Sequence, residues 1–216
     1  MSVAAEAVTV RRLGRADYVA TWQAMREFTR RRDEAMPDEL WLLEHPPVYT
    51  LGQGADPAFG PGTSVIPIIQ SDRGGEITYH GPGQLVGYPI IDLARHGSDV
   101  HGYLRELEAV LIEVADGFGV KAERRSGFTG VWVGDAKLAA IGVGIRRWVT
   151  MHGFALNVHD LRDPFSAIVP CGLAGSGVTS LTQETGRVLD LDTVAGAIVT
   201  VFGAHFGYDA VVERRP

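Results

Sequence analysis

The chain is poor in the features that cross-link a protein or anchor it in a membrane. It has one cysteine, Cys171, among 216 residues, which excludes an internal disulfide and a metal site built from several cysteines. No apolar run approaches the roughly 20 residues of a membrane span, and the N-terminus lacks the basic-then-apolar pattern of a signal peptide. We therefore expect a cytoplasmic protein stabilised by an ordinary hydrophobic core.

Motifs for nucleotides and metals are also missing. The sequence contains no Gly-x-x-x-x-Gly-Lys-Ser/Thr loop, no Gly-x-Gly-x-x-Gly fingerprint after a strand and no His-Glu-x-x-His pair. We expect chemistry that uses neither a cofactor nor a metal. A net charge of −6 argues against a nucleic-acid partner, although the pairs Arg124–Arg125 and Arg146–Arg147 are local basic clusters that suit an acidic macromolecule.

The predicted elements indicate one α+β domain over residues 1–216, with a mixed sheet and inserted helices. Asp17, Ser98 or Asp99, and Asp190 or Asp192 are candidate N-caps of three helices that end near residues 32, 118 and 207. Pro89 places its strand at an edge or a bulge. The predicted strands are 8–13, 40–43, 48–51, 65–69, 85–91, 129–133, 137–143, 145–151, 153–158 and 208–212.

What the chain has in excess is glycine, at 27 residues or about 12.5% against roughly 7% on average. The densest stretch is Arg-Gly-Gly-Glu-Ile-Thr-Tyr-His-Gly-Pro-Gly-Gln at 73–84. Glycine and proline exclude a regular helix there, and two apolar runs, 65–69 and 85–91, read as buried strands on either side. Glycine also lets backbone approach a ligand closely. We interpret this stretch as a ligand-facing loop.

Cys171 is the candidate nucleophile, because Pro170 and Gly172 take it out of regular structure and neighbouring glycines expose backbone N–H groups. Lys137 heads an apolar strand, where a lysine on its own would extend its ammonium to the surface. Beside a cysteine it would either lower the thiol pKa or, if desolvated, act as a neutral base. His80 and His152 are the other candidate bases. Lys137 also has the opposite strand parity from the small residues Ala140 and Gly142, unless a bulge reorients it.

Four motifs together resemble the lipoyl(octanoyl) transferase family. They are the 73–84 stretch, Lys-Leu-Ala-Ala-Ile-Gly at 137–142, His-Gly-Phe-Ala-Leu-Asn at 152–157, and Pro-Cys-Gly at 170–172 followed by Thr-Ser-Leu at 179–181. They occur in the family's order and span roughly residues 40–185. The resemblance implies a lipoate/biotin protein ligase-like fold.

The resemblance also implies an activity. Members move an octanoyl group from octanoyl-acyl carrier protein to a lysine of lipoyl domains, as found in 2-oxoacid dehydrogenase complexes and the glycine cleavage H protein. Cys171 would carry the acyl thioester, with Lys137 as its partner. The residues implied to bind the substrate are Arg73, Gly74, Gly75, Glu76, Ile77, Thr78, Tyr79, His80, Ala140, Ile141, Gly142, Gly153, Phe154 and Ala155.

Three other functions remain open at the level of sequence. An ATP-dependent lipoate or biotin ligase shares the fold, but an adenylate mechanism does not need Cys171. A non-catalytic module that binds an acyl carrier would use Cys171 only for packing. A cysteine hydrolase would need a water positioned at the thioester.

Overall fold

The computed structural model describes residues 7–33, 35–168, 177–208 and 210–214. Its helices are α1 (Tyr18–Arg31), α2 (Val100–Gly117), α3 (Arg162–Phe165), α4 (Leu181–Thr185) and α5 (Leu191–Phe206). Its strands are β1 (Ala7–Arg15), β2 (Asp38–Glu44), β3 (Val48–Leu51), β4 (Ile68–Gln70), β5 (Ile77–His80), β6 (Gln84–Ile90), β7 (Glu123–Arg125), β8 (Phe128–Val133), β9 (Ala136–Arg146), β10 (Val149–Asn157) and β11 (Ala210–Arg214).

Eight strands form one mixed sheet in the order β11-β1-β2-β6-β10-β9-β8-β7. β1 is parallel to both of its neighbours, and every other pair in this sheet is antiparallel. A second sheet, β4-β3-β5, has three short strands. The predicted α+β architecture, with a mainly antiparallel sheet and flanking helices, is confirmed.

The large sheet is covered on both faces. Leu40 and Leu42 of β2 belong to the main core cluster with α2 and α5, whereas Trp41 and Leu43 point to the other face and pack with Met25 of α1. Side chains alternate between the faces of a strand, so a strand buried on both sides needs an unbroken apolar run. This explains the Leu-Trp-Leu-Leu sequence at 40–43.

Local capping signals located the three long helices correctly. The side chains of Asp17, Asp99 and Asp190 accept hydrogen bonds from the first turns of α1, α2 and α5. Such caps satisfy backbone N–H groups that a helix leaves free. No helix in the described ranges is both long and apolar enough to cross a membrane.

The prediction that the whole 73–84 stretch is one loop is wrong, because the stretch contains β5. β5 pairs with β3 from Ile77 to His80, so the glycines on either side form two separate turns. The prediction of a buried strand at 65–69 is also wrong. Val65 is fully exposed, and β4 begins only at Ile68, pairs along one edge of β3 and has no buried residue.

Two other strand predictions need correction. The turn between β9 and β10 lies at Arg147–Trp148, inside the predicted strand 145–151. Both residues have positive φ angles, 51° and 65°, in a turn that usually takes glycine or asparagine. A turn without these residues carries no sequence signal.

For Pro89, the edge alternative is wrong, since β6 is an interior strand with β2 and β10 as neighbours. Pairing between β6 and β10 stops at Gly87. Beyond that point the Thr150 hydroxyl donates to Pro89 O at 2.7 Å and accepts from the N–H of Ile91 at 2.9 Å. The strand tolerates proline because a side chain replaces the missing ladder bonds.

Candidate functional site

A cavity of about 310 Å³ follows β9 and β10 beside the 73–76 loop. Its rim includes the exposed residues Gly75, Gly127 and Thr129, and its inner end reaches the buried Tyr88 and His152. Lys137 and Asn157 lie at one end of the two strands, and Gly142 and His152 lie five residues further along each strand. Five residues of strand correspond to roughly 17 Å.

The cavity collects most of the residues implied to bind the substrate. Lys137 lines it, together with every member of that set except Gly74 and Tyr79. The Tyr79 ring packs against Tyr49 and Phe165, with ring centroids 5.4 and 5.8 Å away. The segments 73–80, 140–142 and 153–155, which are separate in the sequence, therefore line the same cavity.

Lys137 is buried, with 7% of its surface exposed, so the interpretation of a lysine extending to the surface is wrong. The parity problem is resolved by a bulge at the start of β9. Val131 pairs with Ala139 while the next residue, Trp132, pairs with Lys137. The extra residue on β9 changes the alternation, so that Lys137 and Ala140 both line the cavity.

Cys171 lies outside the described residues, in the interval 169–176. The chain on both sides of that interval reaches the cavity, because Phe165 and Val178 line it. The segment that follows is attached to Lys137 through backbone hydrogen bonds. Lys137 N–H donates to Gly177 O at 2.9 Å, and Thr179 N–H donates to Lys137 O at 3.0 Å.

The 73–76 loop closes the open edge of β9 beyond its pairing with β8. Gly74 N–H donates to Val143 O at 2.8 Å. The Arg73 guanidinium is held by Thr50, with Nη2 at 2.6 Å from the carbonyl oxygen and 2.8 Å from Oγ1. Gly52 is required opposite this loop, because a Cβ there would overlap Gly75 O. Arg73 therefore fixes the loop from inside the protein.

The glycines of β9 and β10 leave little room for a ligand at two positions. A Cβ on Gly153 would overlap Gly87 O and reach Pro89 Cδ. A Cβ on Gly142 would lie 2.9 Å from Gly74 O. These two glycines accommodate neighbouring backbone, so the cavity gains its width from the spacing of the segments.

The inner end of the cavity is a buried cluster of histidines and tyrosines. A hydrogen bond of 2.7 Å joins His45 Nε2 to the Tyr88 hydroxyl. The His80 ring stacks on the Tyr18 ring, with 5.9 Å between the ring centroids. Burial lowers the pKa of His45, and it lowers the pKa of His80 well below the ordinary value. Burial also raises the pKa of Tyr88 well above its ordinary value. At neutral pH these groups carry no charge.

Both nitrogens of His80 already have partners. Nδ1 lies 2.7 Å from Gln84 Oε1, and Nε2 lies 3.5 Å from the Thr50 hydroxyl. Gln84 donates in turn to Asn157 Oδ1 at 2.9 Å, and Asn157 donates to Thr179 O at 3.0 Å. A chain of hydrogen bonds therefore connects the inner cluster to the segment beside Lys137.

His152 has a different partner, Asp72, whose Oδ1 lies 2.7 Å from His152 Nε2. The same oxygen accepts from Trp22 Nε1 at 2.7 Å. The hydrogen bond from His152 lowers the pKa of the Asp72 carboxyl. His152 also has a φ of 58°, which is uncommon for a residue other than glycine. Both histidine candidates line the cavity, and each is held by its own hydrogen-bond partner.

The buried histidines predict a loss of stability on mild acidification. His45 and His80 are 0% and 5% exposed, and their folded-state pKa values are lowered, so the unfolded chain takes up protons first. The free energy of unfolding should fall as pH drops below about 6.5, by up to about 1.4 kcal/mol per pH unit for each histidine. Urea unfolding between pH 5 and 6.5 measures this slope.

His205 provides the control, because its two nitrogens lie 3.0 and 2.9 Å from Glu106 and Glu113. The hydrogen bond to Glu106 is the main cause that raises the pKa of His205. The stability that His205 contributes to the folded state is complete below about pH 6.5. It is lost as pH rises through the raised pKa of His205 in the folded protein. His80→Gln should flatten the slope below pH 6.5, and His205→Gln should not. Wild-type stability that is constant from pH 5 to 6.5 would contradict the assignment of buried neutral histidines.

Some cavity residues were not predicted from the sequence. Tyr18 lies in the first predicted helix and Tyr88 in the predicted strand 85–91, and nothing in either segment indicates that the two meet at the cavity. The two basic pairs, Arg124–Arg125 and Arg146–Arg147, differ in their ion pairing. Arg124 donates to the buried Glu108 at 3.1 Å, whereas Arg146 and Arg147 are exposed and form no ion pair within the described part of the chain. In that part no group of three or more His, Cys, Asp or Glu is arranged to hold a metal.

Comparison with solved structures gives the fold. A lipoate-protein ligase A bound with ATP superposes with a TM-score of 0.76 at 15% identity, covering 96% of this chain and 87% of that one. A biotin protein ligase from Aquifex aeolicus has a TM-score of 0.55 at 10% identity, covering 92% of this chain and 68% of that one. The lipoate/biotin protein ligase-like fold implied by the motifs is confirmed.

Comparison with known sequences gives the family. The model of the lipoyl protein ligase A/B catalytic domain matches residues 17–203. An octanoyltransferase of Gloeobacter violaceus is 51% identical over 199 residues, covering 90% of this chain and 88% of that protein. An octanoyltransferase of Mycobacterium leprae is 49% identical over 200 residues, covering 89% of this chain and 85% of that protein. The chain therefore belongs to the octanoyltransferase family, within the larger family of the lipoyl protein ligase A/B catalytic domain.

Proposed function

We propose that this chain is an acyltransferase that moves an octanoyl group from octanoyl-acyl carrier protein to a lysine of lipoyl domains. Relatives at about 50% identity bear the name octanoyltransferase. The acceptors would be the lipoyl domains of 2-oxoacid dehydrogenase complexes and the glycine cleavage H protein. The observation that carries the proposal is the cavity itself, with a buried lysine at one end and mostly small or apolar residues along its length.

The cavity suits an alkyl chain in size and chemistry. Its volume of about 310 Å³ is at the small end of the range for ligand pockets. Ala140, Ile141, Phe154 and Ala155 form its apolar wall. Each CH₂ group buried there contributes about 0.8 kcal/mol, so an eight-carbon acyl group gains several kcal/mol.

In the proposed first step, the thiolate of Cys171 attacks the carbonyl carbon of the carrier thioester. The bond to the carrier sulfur breaks, and the thiol proton ends on the departing carrier thiol. Lys137 is the partner of Cys171 in this step. A cation beside a thiol favours the thiolate, and the described chain that follows Cys171 is bonded to the Lys137 backbone.

In the second step, the neutral amine of the acceptor lysine attacks the acyl-enzyme thioester. The amide bond forms, the bond to Cys171 breaks, and the amine proton returns to the cysteine sulfur. The two transfers share one covalent intermediate, which implies ping-pong kinetics. A thioester exchanges for another of similar energy, and the amide is the more stable product.

An ATP-dependent ligase is the alternative function. The similarity to a lipoate-protein ligase bound with ATP concerns the fold alone. The two functions are separated by supplying a lipoyl domain either with the octanoyl carrier and no ATP, or with free octanoate and ATP. We expect product only in the first reaction. Product only in the second would contradict the proposed transfer.

Gly142→Val should separate acyl length from catalysis. The valine Cβ would lie 2.9 Å from Gly74 O and 3.4 Å from Arg73 Cδ, so the 73–75 backbone must move, at a cost of typically 1–3 kcal/mol. This displacement distorts the wall along the acyl chain. We expect octanoyl loading of Cys171 to fall about tenfold or more, while an acetyl thioester still loads.

The control for this variant is Gly196→Val, since a Cβ on Gly196 meets nothing within 4 Å. Mass spectrometry of the loaded protein gives both rates. Equal losses for acetyl and octanoyl donors would indicate general damage. Unchanged octanoyl loading would show that this part of β9 does not line the acyl site.

A further inference from the structure

The Lys137 ammonium lies over the face of the Trp132 ring. The two residues are paired across β8 and β9, and Lys137 Nζ lies 4.7 Å from the centroid of the Trp132 ring. Trp132 is 1% exposed. A cation over the face of a tryptophan is attracted by the ring's negative surface, and the attraction is largest where water is excluded.

The strand that carries Trp132 is fixed beneath Lys137. Gly130 has a φ of 129°, and a Cβ on it would lie 3.5 Å from Lys137 Cε and 2.7 Å from Ala139 O. Its N–H donates at 3.1 Å to Glu108, a fully buried residue of α2. The lysine stem therefore packs against a glycine whose backbone is anchored by a helix.

A second cation contacts the same ring. Arg125 Cζ lies 5.1 Å from the Trp132 centroid and 5.5 Å from that of Phe128. Trp132 does not line the cavity, whereas Lys137 does. The ring contacts two residues that line the cavity, the Lys137 ammonium and the Phe128 ring, whose centroid lies 6.3 Å from that of Trp132. The ammonium lies at the end of the cavity nearest the segment that follows Cys171.

We propose that Trp132 is a positioning residue for Lys137, whose ring face holds the ammonium where it promotes acylation of Cys171. This inference rests on the proposed function. It makes the electron-rich face of the ring, and not only its volume, the property on which the rate depends. Leucine at this position would remove the attraction for the cation and would also leave part of the space empty, so a phenylalanine variant is needed to separate the two effects.

The test compares Trp132→Phe with Trp132→Leu. The readout is the rate at which octanoyl-acyl carrier protein adds an octanoyl group to Cys171, measured by intact mass from pH 6 to 9. We expect Trp132→Leu to be about 10- to 30-fold slower at pH 7, the range of a desolvated cation–π contact, with its half-maximal rate at a higher pH. Trp132→Phe should stay within about threefold of wild type, because a ring face remains.

Trp41 offers a matched control. It is also a buried tryptophan of the large sheet with a cation over its ring, Arg11 at 5.8 Å, and it does not line the cavity. Trp41→Leu should leave the rate and its pH profile unchanged per folded molecule. If Trp132→Leu does not fold, fluorinated tryptophans at position 132 replace it, because fluorine weakens the ring's negative face with little change of shape. The rate should then fall with each added fluorine.

A Trp132→Leu rate and pH profile equal to wild type, or a rate unaffected by fluorination, would overturn the positioning role. So would a loss that Trp41→Leu reproduces. Failure of the proposed function gives a different result, since wild-type protein would then gain no octanoyl group, or Cys171→Ala would gain one equally. That result also removes the reaction that Trp132 is proposed to assist.

Discussion

Replacing Lys137 by alanine should lower octanoyl transfer by about 10²–10⁴-fold while the protein remains folded. This is the range typical of a lost acid–base group or charge partner. Lys137 is 7% exposed and lines the cavity beside the segment that follows Cys171. Without its ammonium, the thiol returns toward its usual pKa of about 8.5, and only a few per cent is thiolate at pH 7.

The chain supplies a matched control for this variant, because Lys121 and Lys137 are its only lysines. Lys121 is exposed, at the start of the segment before β7. Lys121→Ala should transfer at the wild-type rate in a single-turnover assay, and both variants should unfold near the wild-type temperature. Near-normal turnover of Lys137→Ala would mean that the lysine is structural and that a histidine is the base.

Cys171→Ser should lose nearly all transfer. A serine hydroxyl is hardly ionised at neutral pH, whereas a thiol beside a cation ionises readily. Cys171 is the only cysteine of the chain, so one equivalent of iodoacetamide should label wild-type protein once, abolish transfer and leave Cys171→Ser unlabelled.

Two results would contradict a nucleophilic Cys171. The first is full activity of the serine variant. The second is a native protein that resists iodoacetamide at neutral pH, because a buried inert thiol does not react. Octanoyl carrier supplied before the reagent should protect wild-type protein, since the same sulfur would hold the acyl group.

The parts of the fold that the sequence predicted well are those with local causes. Asp17, Asp99 and Asp190 cap helices whose apolar positions follow within one or two turns. The run at 40–43 is apolar at every position because both faces of β2 are covered. The hairpin between β8 and β9 turns at Gly134–Asp135, a residue pair that occurs in two-residue hairpin turns.

The errors have non-local causes. The run at 65–69 has the composition of a strand, but only its end pairs, with β3. The turn at Arg147–Trp148 holds two left-handed residues without glycine or asparagine. Pro89 lies in an interior strand because the Thr150 hydroxyl supplies hydrogen bonds there. None of these features leaves a trace in its own segment.

The candidate site also combines features that local sequence predicted with features that depend on distant segments. The glycine-rich motif marked the 73–76 loop because Gly75 has a φ of 83°, which favours glycine. The loop also packs so closely on Gly52, outside the motif, that a Cβ there would overlap Gly75 O. The contribution of Tyr18 and Tyr88 depends on how α1 and β6 pack. The association of Trp132 with Lys137 depends on a bulge that shifts the register of β9 by one residue.

The central claim is that the octanoyl group passes through a covalent bond to Cys171. Its most direct test is the intact mass of the full chain after mixing with octanoyl-acyl carrier protein in the absence of a lipoyl domain. The account predicts a gain of one octanoyl group in wild-type protein, none in Cys171→Ala, and loss of the adduct when a lipoyl domain is added. Wild-type protein that transfers octanoyl without gaining this mass, or a Cys171→Ala variant that gains it, would contradict the account.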